Sequence, residues 1–529
     1  MTKPEPMPER VPVLIVGGGP TGLLASILLG RLGVASLLVE KHRSTSRFPK
    51  ARKLNTRTME ILRVVGLEPE VRAQSDDVSD IPLMLGGDTL AGPVRFRIEG
   101  EPYEASLAYS PTTWAFCPQD RLEPILRARA QDQPASDVRF GVEVTALTRD
   151  AHGVAVELRE QTTGRRQSMR AEYVIAADGA HSLVRRLVGI ETSGAEEPSA
   201  QLNVLFHADL ESVRGPNRSV LYKVANHAVE GVIGMAGEGR WILLCAEFPD
   251  PSPQRCADLI RAAAGVADLD VEVEAVNRWQ LAALVADRFR CGRIFLTGDA
   301  AHRLQPNGAF GLNTGVQDVH NLAWKLHGVL GGWAGEGLLD TYEAERRPVA
   351  LANAELSRHF WDNGSGSAPG SVLGFNYETG ALVPDGTDLP RVTDPVAEYA
   401  PTGRPGSRAP HWWLSGDGGR VSSLDLFDRE FVLLTAGRGA GWWKAVADLA
   451  AAGTPLSVIQ PLDPYWTALY DIGPDGAVLV RPDGHVAWRS RTAPTGAYAG
   501  ALRSVLARVL CTQLPLPTPP PTALSPELG

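Results

Sequence analysis

The sequence predicts an α/β protein built around a parallel sheet, and three stretches predict it. They are "VPVLIVGGGPTG" from Val11, "YVIAADGAHSLVRRL" from Tyr173 and "GRIFLTGDAAHRLQPNGAFGLN" from Gly292. Each is an apolar run of strand length that ends in glycine and leads into helical sequence. Such runs are the kind buried on both faces of a parallel sheet.

The first stretch satisfies G-x-G-x-x-G with Gly17, Gly19 and Gly22. The first glycine permits a tight turn, the second lets the backbone approach a pyrophosphate, and the third lets the following helix pack close to the strand. Pro20 and Thr21 open that helix, "TGLLASILLGRLG", whose free N–H groups and positive dipole end favour phosphate. A second strand, "ASLLVE", ends at Glu40, with Lys41 next. A carboxylate at this spacing accepts the hydroxyl protons of an adenosine ribose and repels a 2′-phosphate. The unit is Rossmann-like and selects FAD or NAD. Glycine fills 54 of 529 positions, so the pattern alone recurs by chance. Strand, helix, strand and acid in that order remove most chance matches.

A chain of 529 residues exceeds one compact core, so several domains are expected. With 44% hydrophobic and 21% charged residues it reads as a soluble globular protein. The formal charge of -9 argues against nucleic acid or a membrane surface as partner. Five scattered cysteines have no CxxC or metal-ligand spacing, so no metal site is expected and free thiols in a reducing cytoplasm fit best. "MTKPEPMPER" is unlike a secretory leader.

The two later stretches place Asp178-Gly179 and Gly298-Asp299 directly after strands, where a carboxylate can bond a ribose or ribityl hydroxyl. Together with "FPKARKLNTRTMEILRVVGL", "CPQDRLEPIL", "TYEAERRPVA" and "RPDGHVAWR", the ordered set resembles the class A FAD-dependent aromatic hydroxylases. These are the relatives of p-hydroxybenzoate hydroxylase and phenol hydroxylase, including those that tailor aromatic polyketides. The resemblance implies that Gly17, Gly19, Gly22 and Glu40 hold the ADP half of FAD. It implies that Gln119 and Arg121 or their neighbours reach the flavin's middle. Asp178 would serve FAD and a transiently docked nicotinamide nucleotide, and Asp299 the ribityl–pyrophosphate part. Pro306 would lie beside the reactive carbon, and Lys50 and Arg52 would be basic contacts. Gly298, Gly311, Leu312 and Asn313 complete the set, with Pro306 and Asn313 as the flavin environment and no dedicated acid or base. Two departures stand out: Ala309 where a second glycine is common, and Lys53 where a small residue is common.

The activity implied is NAD(P)H-dependent reduction of FAD, addition of O2, and oxygen transfer from a flavin C4a-hydroperoxide to an aromatic, phenolic or polyketide-like ring. Baeyer–Villiger oxidation, antibiotic inactivation and a non-hydroxylating flavoprotein that shields a reactive intermediate are alternatives. A homodimer is allowed. The helix beginning near Leu312–Asn313 would present N–H groups to an anionic flavin edge; the plainer reading is a core helix capped by Asn313. Four strand-like runs between Leu202 and Phe248 would roof an apolar pocket, with Phe206, Tyr222 and Met235 as lining candidates. His302 reads as a structural hydrogen bond, and His207 and His227 as solvated or core residues. Glu343, Glu345, Arg346 and Arg347 read as a charged helical face with structural ion pairs.

The expected organisation is an FAD-binding domain at 11–75, 116–189 and 281–362, with an inserted β-sheet substrate domain at 76–115 and 190–280. A linker region at 363–401 leads to a thioredoxin-like domain at 402–511 without CxxC. A proline-rich tail at 512–529 is expected to be disordered.

Overall fold

The computed structural model describes residues 7–513 except 238, 364–365, 417–418 and 438–439. The chain forms two compact units. One comprises Met1–Ala323, Arg346–Leu373 and Asp394–Tyr399; the other comprises Trp324–Glu345, Gly374–Thr393 and Ala400–Gly529.

In the first unit the strand Arg10–Val16 pairs in parallel with Ser36–Glu40 on one side and Arg166–Ala176 on the other. Ile294–Leu296 and Ser136–Phe140 extend this parallel arrangement outward. Val13, Leu14 and Ile15 have no exposed surface, as two-sided coverage requires. Parallel strands end at one edge, so the three glycine turns emerge together. Backbone bonds lash them: Gly17 N–H donates to Val39 at 2.8 Å, Ala177 to Val16 at 2.8 Å, and Thr297 to Ala176 at 2.9 Å. Gly17 has φ 111°, and a Cβ there would lie 2.2 Å from the Ala177 carbonyl oxygen. A Cβ on Gly22 would meet the Gly17 carbonyl oxygen at 2.0 Å, which is the close helix–strand approach its spacing implies.

A second eight-stranded sheet in this unit contains the four expected runs as Thr192–His207, Leu221–Ala225, Glu230–Gly237 and Arg240–Ala246. Glu272–Ala286 and His302–Arg303 extend one side; Met84–Gly87 and Phe96–Ile98 extend the other. The helix Pro253–Ala264, capped by the Ser252 side chain and ended by Gly265 in the left-handed region, packs on one face through Cys256, Leu259, Ile260 and Ala263. That core contains Phe206 and Tyr222, with Met235 packed against it. None of the three lines the large cavity of this unit, which corrects their placement as pocket residues. Side chains alternate along a strand, so Leu221 faces the cavity while Tyr222 faces the helix. The Tyr222 hydroxyl donates to the Asn217 carbonyl at 2.6 Å and accepts from Arg214 at 2.9 Å.

The second unit holds a four-stranded sheet in the order Leu456–Ile459, Phe431–Thr435, Ala477–Val480, Val486–Ser490. The first pair is parallel and the other two are antiparallel. Helices Ala440–Ala451 and Tyr498–Val509 accompany it. The same unit holds a buried charge cluster. Glu345 accepts from Lys325 at 2.8 Å and from Arg481 at 2.9 and 2.8 Å, and Arg481 also pairs with Asp483 at 2.5 Å. Glu345 and Arg346 do form structural ion pairs, but the face expected at Glu343–Arg347 is corrected: both are buried and pair with distant segments. Thr512 N–H still bonds Ala507 at 3.0 Å, and the rest of the proline-rich tail, from 514, lies outside the described residues. No described helix is long and apolar enough to cross a membrane.

Candidate active site

A cavity of about 1580 Å³ opens where the parallel strands end. Gly17, Gly19, Pro20, Thr21, Glu40, Lys41, Arg52, Gln119, Asp178, Asp299, Pro306, Gly311 and Leu312 all line it. Toward the second sheet its wall becomes apolar, with Ile81, Met84, Trp114, Phe116, Val220 and Leu221. Gly22, Gly298 and Asn313 are not in the wall. Gly22 and Gly298 instead permit close packing: a Cβ on Gly298 would lie 2.8 Å from the Thr21 hydroxyl, and its φ is 57°.

The carboxylates are held differently. Glu40 accepts from the Gly18 N–H at 2.7 Å and the His42 N–H at 2.8 Å, which fixes it against the glycine turn. Asp178 accepts from the Ser182 hydroxyl at 2.5 Å and the Val184 N–H at 3.0 Å, so it also caps the short helix Leu183–Leu187. No donor among the described residues hydrogen-bonds Asp299, whose carboxylate faces the cavity. Desolvation pushes its carboxyl upward, against the pull of His302, Lys50 and Arg303. Asp318 supports this corner from behind, accepting from Gly298 N–H at 3.1 Å, His302 Nε2 at 2.7 Å and Arg346 Nε at 2.9 Å. Burial disfavours the Asp318 charge, but His302 and Arg346 outweigh it and hold the carboxyl below its ordinary range. The structural hydrogen bond expected of His302 is this one.

Arg52 donates to the Met235 carbonyl at 2.7 Å and has no carboxylate partner among the described residues. Desolvation pulls its guanidinium down to about 10. Gln119 accepts from Ala51 N–H at 3.4 Å and donates to Glu123 at 2.6 Å. Arg121 turns away to Asp76 at 2.7 Å and the Gln74 carbonyl at 2.9 Å, so of that pair only Gln119 reaches the cavity.

The long helix runs Phe310–Leu330, two residues earlier than expected, which puts Gly311 and Leu312 in its first turn at the cavity. Asn313 is neither its cap nor part of the wall, correcting both readings. Its Oδ1 accepts from Asn55 N–H at 2.9 Å, and its Nδ2 donates to the carbonyls of Lys53 at 2.9 Å and Ala309 at 2.6 Å. Ala309 has φ 56°, a left-handed conformation that suits glycine. Ala309→Gly is expected to stabilise the protein by up to about 1 kcal/mol, since relief of the Cβ clash exceeds the added freedom of the unfolded chain. An unchanged or lower Tm would contradict this.

Trp114, Glu101 and Asp318 were not singled out in the sequence. The only signal was that Trp114 and Glu101 fall in the excursion between the first strands and "CPQDRLEPIL"; Asp318 carried none.

The parallel-sheet fold and a cavity walled by a glycine turn and two post-strand carboxylates define an FAD-binding class of protein. Residues 10–357 match the FAD binding domain family, and residues 402–512 match the C-terminal domain of aromatic-ring hydroxylases. The chain is 40% identical over 539 residues to tetracenomycin B2 monooxygenase-dioxygenase of Streptomyces olivaceus, covering 94% of this chain and 99% of that one. It is similar to the flavin-dependent monooxygenase PieE in complex with FAD and substrate (TM-score 0.87, 36% identity, 95% of this chain and 99% of that one). It is also similar to aklavinone-11 hydroxylase in a ternary complex with FAD and aklavinone (TM-score 0.86, 34% identity, 96% and 100%). The chain belongs to the FAD-binding aromatic-ring hydroxylase family and is an FAD-dependent monooxygenase.

Proposed function

We propose that this protein hydroxylates a polycyclic aromatic substrate of the polyketide type, with NAD(P)H as electron donor and O2 as co-substrate. The observation that carries the reading is one cavity in which three glycine–carboxylate corners meet an apolar wall. The substrate class rests on relatives that act on tetracenomycin B2 or bind aklavinone.

The residues present fit FAD. Gly19 leaves open space where a Cβ would stand, and the helix Pro20–Arg31 has no side-chain cap on its first N–H groups, as a pyrophosphate requires. Among the described residues, Asp299 offers a carboxylate without a donor, and Arg52 a cation without a carboxylate partner. In this reading Gly17–Thr21 and Glu40 hold the ADP half, Asp299 and Arg52 the middle, and the Pro306–Leu312 segment the ring system. Bound FAD would supply the oxygen-transfer chemistry. The first-turn N–H groups of Gly311 and Leu312 would favour negative charge on its edge. The Trp114 and Phe116 wall would keep water from the reacting centre.

We also read the C-terminal sheet as thioredoxin-like. Its order, a parallel pair followed by two antiparallel strands and a helix, supports that, and the lack of CxxC leaves a scaffolding role. The division of the first unit into FAD-binding and substrate-binding parts is part of the same reading.

The test is ligand-stimulated NAD(P)H consumption by the purified yellow protein across a panel of phenolic polycycles. Several-fold stimulation with matching hydroxylated product is expected. Equal consumption with and without every candidate would refute the reading.

A further inference from the structure

Within the apolar part of the cavity stands an ion pair that the reaction as outlined does not use. Lys53 Nζ lies 2.9 Å from Glu101 Oε2 and 5.2 Å from the centroid of the Trp114 ring. Lys53 and Glu101 both line the cavity, yet the Glu101 side chain is 2% exposed and that of Lys53 22%. The carboxylate is therefore sealed in the wall, while the cation keeps surface toward the open space. Glu101 is further fixed by the Ser106 hydroxyl at 3.1 Å, which bonds Thr56 at 2.8 Å. An ammonium has three N–H groups. One is spent on Glu101, and the Trp114 face covers another side by cation–π attraction. What is left is available to a ligand in the cavity that Lys53 lines.

The backbone of Lys53 is equally placed. Its carbonyl accepts from Asn313 Nδ2, the same amide group that bonds Ala309 in the loop beside Pro306. The cation thus projects from a segment anchored to the loop where the ring system would sit. A substrate oxygen entering among Ile81, Met84, Trp114, Phe116 and Leu221 loses its water and needs a partner there.

We propose that Lys53 is a positioning residue, its ammonium taking the ionised phenol oxygen of the polycyclic substrate while Glu101 and Trp114 aim it. This rests on the functional reading above and adds to it the group that selects phenols and sets which ring faces the loop. Holding the oxygen as its anion would also enrich the carbons ortho and para to it in electrons, where an electrophilic oxygen is received.

The test uses 1,2-dihydroxyanthraquinone, a dye whose visible absorption moves to longer wavelength when a phenol ionises, bound to the flavin-loaded protein. A cation at contact distance lowers a neighbouring acid's pKa by about 1–3 units. The bound dye is expected to ionise at a pH lower by that amount in wild type and Lys53→Arg than in Lys53→Met. The double variant Lys53→Met/Glu101→Gln, which strands no buried carboxylate, is expected to lose the low midpoint as well. One shared midpoint in all four proteins, or a dye that does not bind wild type, would overturn the proposal. Flavin content and ligand-stimulated NAD(P)H use of wild type are recorded in parallel. If Lys53 alone is misread, both persist; if the functional reading fails, the stimulation is missing from wild type too.

Discussion

Replacing Asp299 by alanine yields mostly flavin-free protein, with occupancy falling at least about tenfold, the size of one lost charge-assisted hydrogen bond. The carboxylate is the acceptor at this corner without a donor of its own among the described residues, so a cofactor hydroxyl is the partner it lacks. Visible absorbance per chain, read against total protein, checks this; full occupancy in the variant would show that the corner lies elsewhere. A second result follows from the sign of the pKa shift. Desolvation raises the Asp299 carboxyl above its unfolded value. The native apoprotein then binds more protons than the unfolded chain as pH passes from the unfolded to the folded value, so the contribution present at lower pH is lost as pH rises. Asp299→Asn removes that burden. Its apoprotein should melt above wild-type apoprotein at neutral pH while holding flavin less well. A variant that loses flavin and also melts lower would instead mark Asp299 as a structural residue.

Glu345→Ala is expected to cost about 3–5 kcal/mol, the range for removing one partner from a buried ion pair. The loss leaves Lys325 without the carboxylate it pairs with and Arg481 with Asp483, both cations lacking exposed side-chain surface. Glu345→Gln should show most of the same loss, because the shape survives and the charge does not. Burial opposes ionisation of Glu345, but Arg481 and Lys325 outweigh it and hold the carboxyl down to about 2. A depressed carboxyl contributes stability that is complete above its unfolded value near 4.5 and disappears as pH falls toward 2. Lys325 runs the other way: desolvation pulls it down to about 8 despite Glu345, so its contribution grows as pH climbs from 8 toward 10.5. Thermal melting against pH should therefore show an acid limb in wild type that is shallower in Glu345→Gln. Equal limbs would show that the cluster does not govern acid stability.

The features readable in the sequence were those encoded locally. A strand, a glycine turn and an acid within a few residues announced each corner, and Gly17, Asp178 and Asp299 do open on one cavity. Half of the second sheet was visible as four strand-like runs with turns between them. Which face of that sheet meets the cavity was not, because the phase of Leu221 and Tyr222 depends on where the helix Pro253–Ala264 docks. Phe206, Tyr222 and Met235 were assigned to the cavity for that reason. The partners of Glu345 and Arg346 were equally hidden, since Arg481 stands 136 positions from Glu345. Periodicity reports neighbours on one helix and is silent about such pairs. Asp318 shows the same limit: nothing near it in the chain signals that three donors converge on it.

Asn313 joins Asn55, Lys53 and Ala309 through a single side chain, at distances of 2.6 to 2.9 Å. The flank that carries Arg52 and Lys53 and the turn that carries Pro306 are consequently geared to each other. If the turn shifts during a catalytic cycle, either the flank travels with it or Asn313 gives up its bond to Ala309 or its two bonds to Asn55 and Lys53. Movement of either segment is thereby tied to the other through one amide group.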